Sequence, residues 1–288
     1  MLNPSSEDVL TAVIATYNLR ASLSEDAKYC GNWRDAEPAS ASAYLHLIDR
    51  GRCRVSGPFS EKPIELGDGD FMVLPHGVAH DLFACPGAAN DEYTTMLCGN
   101  VEFTHGARNP LLRALPELIL VRAAEGGERF RSLGQLLCAE IRGGGFGGRA
   151  VVDKLADALF IMAVRHYINR ASAPSGLIAA LLDARLCKAL AAIHSEPGRD
   201  WTVASLAEIA GMSRTAFALR FGEMLQQSPI QYLTHWRMTQ AETLLQDPRR
   251  SVRAVAEQLG YQTEASFRRC FKRVHGYGPG QVRRAATA

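Results

Sequence analysis

Arginine and lysine side chains are concentrated near the end of this chain, where they could bind phosphate groups. Residues 250–284 contain eight Lys and Arg residues and only two acidic residues. Residues 177–288 hold 15 Lys and Arg against 9 Asp and Glu, whereas residues 1–176 hold 17 against 21. Clustered cations release counterions from a phosphate backbone, and that release supplies much of the affinity of proteins for DNA. These residue types therefore indicate a nucleic-acid partner.

A short pattern that occurs twice predicts how these cations are positioned. Its copies are SLAEIAGMSRTAFALRFGE (205–223) and AVAEQLGYQTEASFRRCFKR (254–273). Each predicts a helix, a sharp turn at Gly211 or Gly260, and a second helix whose two phenylalanines are buried. The glycines are 49 residues apart and the phenylalanines 50, so the second turn has one extra residue. The pattern is typical of a helix-turn-helix unit, and a repeated helical packing unit without DNA binding is the alternative.

Capping residues predict where the helices begin. Ser213 and Thr263 stand where the second helix of each copy would start, and their side-chain oxygens can accept from its first backbone N–H groups. Ser228 followed by Pro229 predicts a further helix that links the copies. A rigid link would fix the distance between the two DNA-contacting helices.

The run from Trp201 to Arg284 resembles the DNA-binding domain of the AraC/XylS family of bacterial transcription regulators. The family pattern is present in the second copy as Ala256, Gly260, Tyr261, Phe267, Arg269, Phe271, Lys272, Gly276, Pro279 and Arg283. The resemblance implies two recognition helices held about one DNA turn apart, which contact adjacent major-groove segments. It implies double-stranded promoter DNA as the partner, with RNA polymerase as a second candidate, and does not distinguish an activator from a repressor.

The resemblance also assigns DNA-binding side chains, residue by residue. They are Ser213, Arg214, Thr215, Ala218, Leu219 and Arg220 in the first copy and Thr263, Glu264, Ala265, Arg268, Arg269 and Lys272 in the second. The side chains of the first set are mostly short or apolar, so they would contact thymine methyl groups or allow the protein backbone to approach the DNA closely. Arg220 would bind a phosphate. An arginine of the second set could pair with guanine, which contributes about 1–3 kcal/mol of discrimination. For Arg269 the alternative is a salt bridge to an acid on the linking helix.

The first half of the chain predicts a different architecture. Short apolar runs broken by Gly, Pro and Asp extend from about Tyr44 to Phe103 and favour an antiparallel sandwich or small barrel. Within them GDFMVLPHGVAH (69–80) resembles the second motif of the cupin fold. A hairpin turn at Gly69 and a corner at Gly77 would direct His80 into the barrel.

Three histidines are the candidates for an effector pocket in this barrel, namely His46, His76 and His80. Imidazole suits zinc or iron, but the ligand set of cupin enzymes is incomplete because no His-x-His pair is present. We therefore expect no metal, no cofactor and no catalytic residue. The alternative is a cupin metalloenzyme with a helical appendix, although catalytic triads, phosphate-binding loops and dinucleotide fingerprints are absent.

Cysteines offer a second kind of signal. The chain has seven, without a Cys-x-x-Cys pair, which fits reduced thiols in a cytoplasm. Those in or near the barrel are Cys30, Cys53, Cys85 and Cys98. One of these four could act as an oxidant switch. Arg52 and Arg54 flank Cys53 and are expected to lower its pKa, which would make its thiol more reactive. The alternative is that the cysteines are buried structural residues. The effector is thus a small molecule or an oxidant.

Glycines separate three amphipathic stretches between 109 and 170, namely LLRALPELILV, ERFRSLGQLLCAEIR and VVDKLADALFIMAVRHYINR. All three are predicted to be helical. The segment from Asn109 to Pro116 resembles that of regulators in which dimerising helices follow a cupin domain. The resemblance implies a homodimer.

These features predict an α+β chain: an N-terminal cupin β-barrel followed by helices, then an all-α domain with two helix-turn-helix units. The expected division is a cupin-like sensor at 1–106, a helical dimerisation segment at 107–170, a linker at 171–180 and the DNA-binding domain at 181–288. At 47% hydrophobic, the chain can form two cores. It has no apolar run of membrane-spanning length and no signal peptide, so we expect a cytoplasmic protein.

Overall fold

The structure is a computed structural model that describes residues 20–87, 93–102, 110–171 and 176–285. Residues 20–171 of this described part belong to one compact unit and residues 176–285 to a second. The strands of the first unit are β1 (Arg20–Cys30), β2 (Arg34–Glu37), β3 (Ala43–Arg50), β4 (Cys53–Gly57), β5 (Ser60–Leu66), β6 (Phe71–Leu74), β7 (His80–Ala84), β8 (Tyr93–Glu102) and β9 (Ile119–Val121). Its helices are α1 (Pro110–Ala114), α2 (Gly127–Gly143) and α3 (Gly148–Arg170).

The strands form two antiparallel sheets around an apolar core. One sheet has the order β1-β8-β3-β6-β9 and the other β2-β7-β4-β5. The core between them includes Ile48, Val55, Met72, Leu82 and Met96, all of which are fully or almost fully buried. This confirms the predicted cupin-type barrel. The turns also follow the prediction, because Gly69 and Gly77 have φ angles of +79° and +58°.

The helices of this unit cover the outer face of the first sheet. Six consecutive residues of β3 are buried, because one face of the strand lies in the barrel core and the other lies under α2. The ring of Phe130 in α2 stacks edge-on against Phe71 in β6, and Leu47 of β3 lies below Gly134 of α2. Helices α2 and α3 are therefore part of the fold of the first unit.

One helix prediction in this segment is wrong. The stretch LLRALPELILV does not form a single helix: α1 ends at Ala114, and residues 119–121 form β9, which pairs with β6 at the edge of the sheet. Pro116 interrupts the helical hydrogen bonding, and the buried Ile119 and Val121 satisfy their backbone groups in the sheet instead. Strands β1 and β2 lie before the apolar runs, and their largely polar sequences do not predict a buried strand.

The second unit is entirely helical within its described residues. Its helices are α4 (Gly176–Leu182), α5 (Leu186–Ser195), α6 (Val203–Ile209), α7 (Arg214–Leu225), α8 (Pro229–Leu245), α9 (Val252–Gln258), α10 (Glu264–His275) and α11 (Pro279–Ala285). Helix α4 begins inside the segment predicted as a linker at 171–180, because Leu177, Ile178 and Leu181 are buried against the unit. Residues 176–180 of that segment are therefore helical.

The two predicted helix-turn-helix units are α6–α7 and α9–α10, joined by α8. Their turns contain Gly211 and Gly260 with φ angles of +62° and +78°, which only glycine adopts without strain. The side chains of Ser213 and Thr263 accept hydrogen bonds from the N–H groups of Ala216 and Ser266 and so cap α7 and α10. Ser228 and Gln231 form a reciprocal capping box at the start of α8, with Pro229 in its first turn. These local predictions are confirmed.

Candidate nucleic-acid interface and effector site

Helix α10 separates a buried aromatic face from an exposed basic face. Phe267 and Phe271 are fully buried, and their rings lie 5.8 Å apart in the core of the second helix-turn-helix unit. The exposed residues on the opposite side are Ala265, Arg268, Arg269, Lys272 and Arg273. The buried apolar residues thus fix the orientation of α10, so that its four cations face solvent. Such a basic surface can bind a DNA backbone.

The four cations differ in how they are held. Arg268 forms an ion pair of 2.6 Å with Glu264, one turn earlier on the same helix. Arg273 contacts the sulfur of Cys270. Arg269 and Lys272 form no ion pair or side-chain hydrogen bond with any residue in the described ranges. The alternative role for Arg269, a salt bridge to an acid on the linking helix, is not realised within that part of the chain.

Helix α7 has the same backbone plan and a less basic surface. Phe217 and Phe221 are fully buried, whereas Thr215 and Leu219 are exposed and Ala218 is half-buried. Arg214 is also exposed, in the first turn of the helix. The predicted DNA-contacting positions therefore lie on the solvent side of α7.

Arg220 is held by a distant acid in this structure. Its Nε donates to Asp183 Oδ2 at 2.7 Å, and the guanidinium forms a second bond to the same oxygen. Burial alone would raise the pKa of Asp183, but hydrogen bonds from the Leu186 N–H, the Arg220 guanidinium and the Arg185 N–H lower it below its usual value. The side chain predicted to hold phosphate thus ties α7 to the start of α5.

Backbone contacts join the two helix-turn-helix units. A Cβ placed on Gly260 would lie 2.2 Å from the Gly198 carbonyl oxygen, and one on Gly198 would lie 2.2 Å from the Gln258 carbonyl oxygen. Arg237 of α8 donates to the Pro197 carbonyl at 2.7 Å. The turn of the second unit is therefore fitted against the chain that leads into the first.

A histidine pair lies in the core of the barrel. His46 on β3 and His80 at the start of β7 are buried, and their Nε2 atoms are 2.9 Å apart. The β3–β8 register places Cys98 opposite His46, with its sulfur 3.2 Å from His46 Nδ1. Two strands of one sheet and one strand of the other thus bring together residues far apart in sequence.

The partners of this pair determine where its protons lie. Burial lowers the pKa of His46 to about 3 and also lowers the pKa of His80, so both rings are neutral at pH 7. His80 Nδ1 lies 3.0 Å from the Val78 carbonyl oxygen, which can only accept, so this nitrogen carries the proton. His80 Nε2 then accepts from His46 Nε2–H. His46 Nδ1 is left to accept from the Cys98 thiol.

The other predicted effector residues lie elsewhere. His76 is exposed on the loop after β6, and its Nε2 bonds to the Leu115 carbonyl at 3.0 Å, so the structure does not bring it to the pair. Cys53 is buried, and burial together with Cys85 and Asp70 raises its pKa to about 12. The expectation that Arg52 and Arg54 lower this pKa is wrong, because desolvation of the thiolate outweighs two cations outside the core. No cluster of three metal-ligating side chains occurs among the described residues.

Comparison with known proteins identifies the chain as a regulator. A family model described as "Cupin" matches residues 8–169, and one described as "Helix-turn-helix domain" matches residues 206–285. An AraC-like transcription regulator of Streptomyces antibioticus is 30% identical over 96% of this chain and 97% of its own length. The chain belongs to the AraC family of transcription regulators.

Two further relatives of this AraC-family chain carry more specific names. The HTH-type transcriptional regulator AlkR of Acinetobacter baylyi is 30% identical over 96% of this chain and 99% of its own. The RCS-specific HTH-type transcriptional activator RclR of Escherichia coli K12 is 30% identical over 83% of each chain. All three relatives are transcription regulators, which favours a DNA-binding regulator over the cupin metalloenzyme.

In this AraC-family regulator the basic surface of α10 and the milder surface of α7 are the candidate DNA contacts. The sequence indicates Cys98 as a candidate thiol but not its contact with His46, because only the β3–β8 register reveals that the two lie side by side. The pairing of Arg220 with Asp183 was likewise hidden by their separation in sequence. No helix among the described residues has the length and hydropathy needed to cross a membrane.

Proposed function

We propose that this regulator binds promoter DNA through the exposed faces of α7 and α10 and responds to a signal sensed at the His46–His80–Cys98 cluster. The observation that carries the first part is the pair of helix-turn-helix units, with Arg269 and Lys272 exposed on α10 and not engaged by other described residues. The DNA contacts would be the twelve residues named from sequence, except that Arg220 must first leave Asp183.

The DNA-binding part is tested with a duplex selected from random sequence by the purified full chain. Replacing Arg268 and Arg269 together by Ala removes two of the three exposed arginines of α10 and is expected to weaken binding by 100-fold or more, since each good base contact contributes about 1–3 kcal/mol. Replacing Arg129 and Arg131, exposed on α2, by Ala is the matched control. Equal affinities of the two double variants would contradict the assignment.

The His46–His80–Cys98 cluster supports a sensor because breaking one of its hydrogen bonds leaves a buried polar group without a partner. A ligand whose polar atoms replace the His46–His80 bond, or an oxidant that takes electrons from the Cys98 sulfur, removes a bond that no water can easily replace in the core. A buried polar group that loses its partner costs about 1–3 kcal/mol, which is enough to shift a two-state equilibrium. Both classes of effector, a small molecule and an oxidant, therefore act at the same atoms.

The effector part is tested by following operator affinity while the full chain is treated with hydrogen peroxide or screened against small molecules. His46→Asn and Cys98→Ser are expected to abolish the response to an oxidant, and His46→Asn and His80→Asn the response to a ligand. His76→Ala should respond as the unaltered chain does, because His76 lies apart from the cluster. A response that survives in the cluster variants and is lost with His76 would refute the site.

A homodimer formed through α2 and α3 is the expected assembly. Leu136 on α2, Val151 on α3 and Phe146 between them are large apolar side chains exposed to solvent in the single chain. Apolar groups at this density are commonly covered by a partner, and two copies would cover each other. Sedimentation of a Leu136→Glu, Phe146→Ser variant should give a lighter species than the unaltered chain if these residues hold the dimer.

We propose a cytoplasmic location, with RNA polymerase as a further partner on the promoter.

A further inference from the structure

The recognition helices α7 and α10 carry different chemistry at equivalent positions. Alignment on the buried Phe217 and Phe267 makes Leu219 equivalent to Arg269. The same alignment makes Ala218 equivalent to Arg268. Two helices with one backbone plan thus present an aliphatic group and a guanidinium at corresponding points of their exposed faces.

Leu219 is difficult to explain as part of the fold. Its side chain is 62% exposed on the same face as Thr215, whereas the phenylalanines of α7 form the buried face. A leucine has no hydrogen-bonding atoms, so it cannot bind a base edge that presents only donors and acceptors. The apolar group that a base pair offers in the major groove is the thymine methyl.

Charge reinforces the difference between the helices. Gly222 and Glu223 of α7 are equivalent to Lys272 and Arg273 of α10. Arg220 is held by Asp183, so Arg214 in the first turn is the cation of α7 that no other described residue engages by ion pair or side-chain hydrogen bond. Helix α7 therefore contributes little to phosphate binding beyond its first turn, and its contribution must come from shape and apolar contact.

We propose that the operator is chemically asymmetric, with an A·T-rich element whose thymine methyl contacts Leu219 and a guanine-containing element that pairs with Arg269. The inference rests on the proposed DNA-binding faces and adds what each face recognises. An arginine pairs with guanine O6 and N7 through two parallel hydrogen bonds. The guanidinium groups of α7 belong to Arg214 and to Arg220, and Arg220 is held by Asp183. Arg214 is assigned to phosphate.

The test replaces single functional groups of the selected operator. Deoxyuridine in place of thymidine removes only the methyl group, and 7-deazaguanine removes only the N7 acceptor. We expect one thymine in the first element whose replacement weakens binding about threefold to tenfold, and one guanine in the second whose replacement weakens it about tenfold.

Variants then connect each group to its side chain. In Leu219→Ala the deoxyuridine effect should vanish while the 7-deazaguanine effect remains, and in Arg269→Ala the reverse should hold. Leu182→Ala and Arg131→Ala, which alter exposed residues of the same types on α4 and α2, should leave both effects intact. Arg214→Ala should weaken binding to all sequences alike and lower the salt dependence, as loss of a phosphate contact does.

The outcomes separate this inference from the proposed function. Two similar guanine-containing elements, or a deoxyuridine effect that persists in Leu219→Ala, would overturn the asymmetry and leave the DNA-binding faces standing. A loss of base preference in the first element on Arg214→Ala would also overturn the asymmetry, because an arginine of α7 would then bind a base as Arg269 does. If binding is unaffected by every variant of α7 and α10, the proposed faces themselves fail, and the asymmetry fails with them.

Discussion

The two helix-turn-helix units share one plan inside and differ outside. Both bury a pair of phenylalanines, both turn on a glycine with positive φ, and both cap the second helix with a hydroxyl side chain. On the outside α7 presents Leu219 and an arginine tied to Asp183, whereas α10 presents four cations. The comparison teaches that the buried phenylalanines and the glycine turn determine the fold of the unit, while the exposed residues can differ and so determine what each helix binds.

The units differ in their turns as well. The Gly211 turn has open space where a Cβ would lie, whereas the Gly260 turn is pressed against the Gly198 carbonyl. The second turn thus has a structural role that the first lacks, since it fixes one unit against the chain entering the other.

Substituting the two turn glycines should give the largest difference. Gly211→Ala is expected to lower the free energy of unfolding by about 1 kcal/mol, the cost of positive φ for a residue with a Cβ. Gly260→Ala adds a clash with backbone at 2.2 Å and is expected to cost about 2–5 kcal/mol. Urea unfolding of the full chain measures both. Equal costs would show that the Gly260 contact does not constrain the turn.

Removing charge from α10 should come next in size. The Arg269→Ala, Lys272→Ala variant loses both cations of α10 that the other described residues leave unpaired, so operator affinity should fall about 100-fold. The slope of log affinity against log salt should fall by about 0.9, since Lys272 is the phosphate contact of the two and each phosphate contact contributes about 0.9. Leu219→Ala should leave the slope unchanged. A similar change of slope in both would remove the distinction between the helices.

Acid should destabilise the second unit through one histidine. His194 of α5 is buried, its ring stacks on Trp236 at 3.8 Å, and burial lowers its pKa to about 3. The unfolded chain takes up this proton near pH 6.5 and the folded chain does not. Stability is therefore fully present above pH 6.5 and is lost toward pH 3, by at most about 1.4 kcal/mol per pH unit.

Tryptophan fluorescence can isolate this effect within the full chain. The three tryptophans are Trp33, Trp201 and Trp236, so a Trp33→Phe background reports on the DNA-binding unit. In that background His194→Gln should show a shallower decline of stability between pH 6 and pH 4. An unchanged slope would assign the acid sensitivity to other groups.

The smallest expected effect comes from releasing Arg220. Asp183→Asn removes the charge that holds the guanidinium but keeps an oxygen for the Arg185 and Leu186 N–H groups. We expect a loss of about 1–2 kcal/mol in stability, a modest gain in non-specific DNA affinity and a salt slope steeper by about 0.9. Tighter non-specific DNA binding would mean that α7, like α10, can bind phosphate with a free arginine. An unchanged salt slope would mean that Arg220 does not reach the DNA backbone.

Local signals made much of this fold predictable. The caps Ser213 and Thr263, the turn glycines and the phenylalanine pairs each act within a few residues, so their spacing shows their role. The motif from Gly69 to His80 likewise placed the histidine in the barrel. Structure determined by neighbouring residues can be inferred from sequence alone.

Features that depend on distant partners could not be inferred in this way. Residues 119–121 form a strand because β6 offers an edge, although their apolar spacing also fits a helix. Cys98 joins His46 only through the β3–β8 register, and the pKa of Cys53 is set by burial and not by its flanking arginines. Each error arises where a tertiary contact outweighs the local pattern.

The most direct test of the account is the affinity of the full chain for operators with altered spacing. Both units should contact one duplex about one helical turn apart, held there by α8 and the Gly198–Gly260 contact. Inserting about five base pairs between the two elements turns them to opposite sides of the duplex, so affinity should fall to that of a single element. Unchanged affinity after the insertion would contradict the claim that the two helix-turn-helix units bind as one rigid pair.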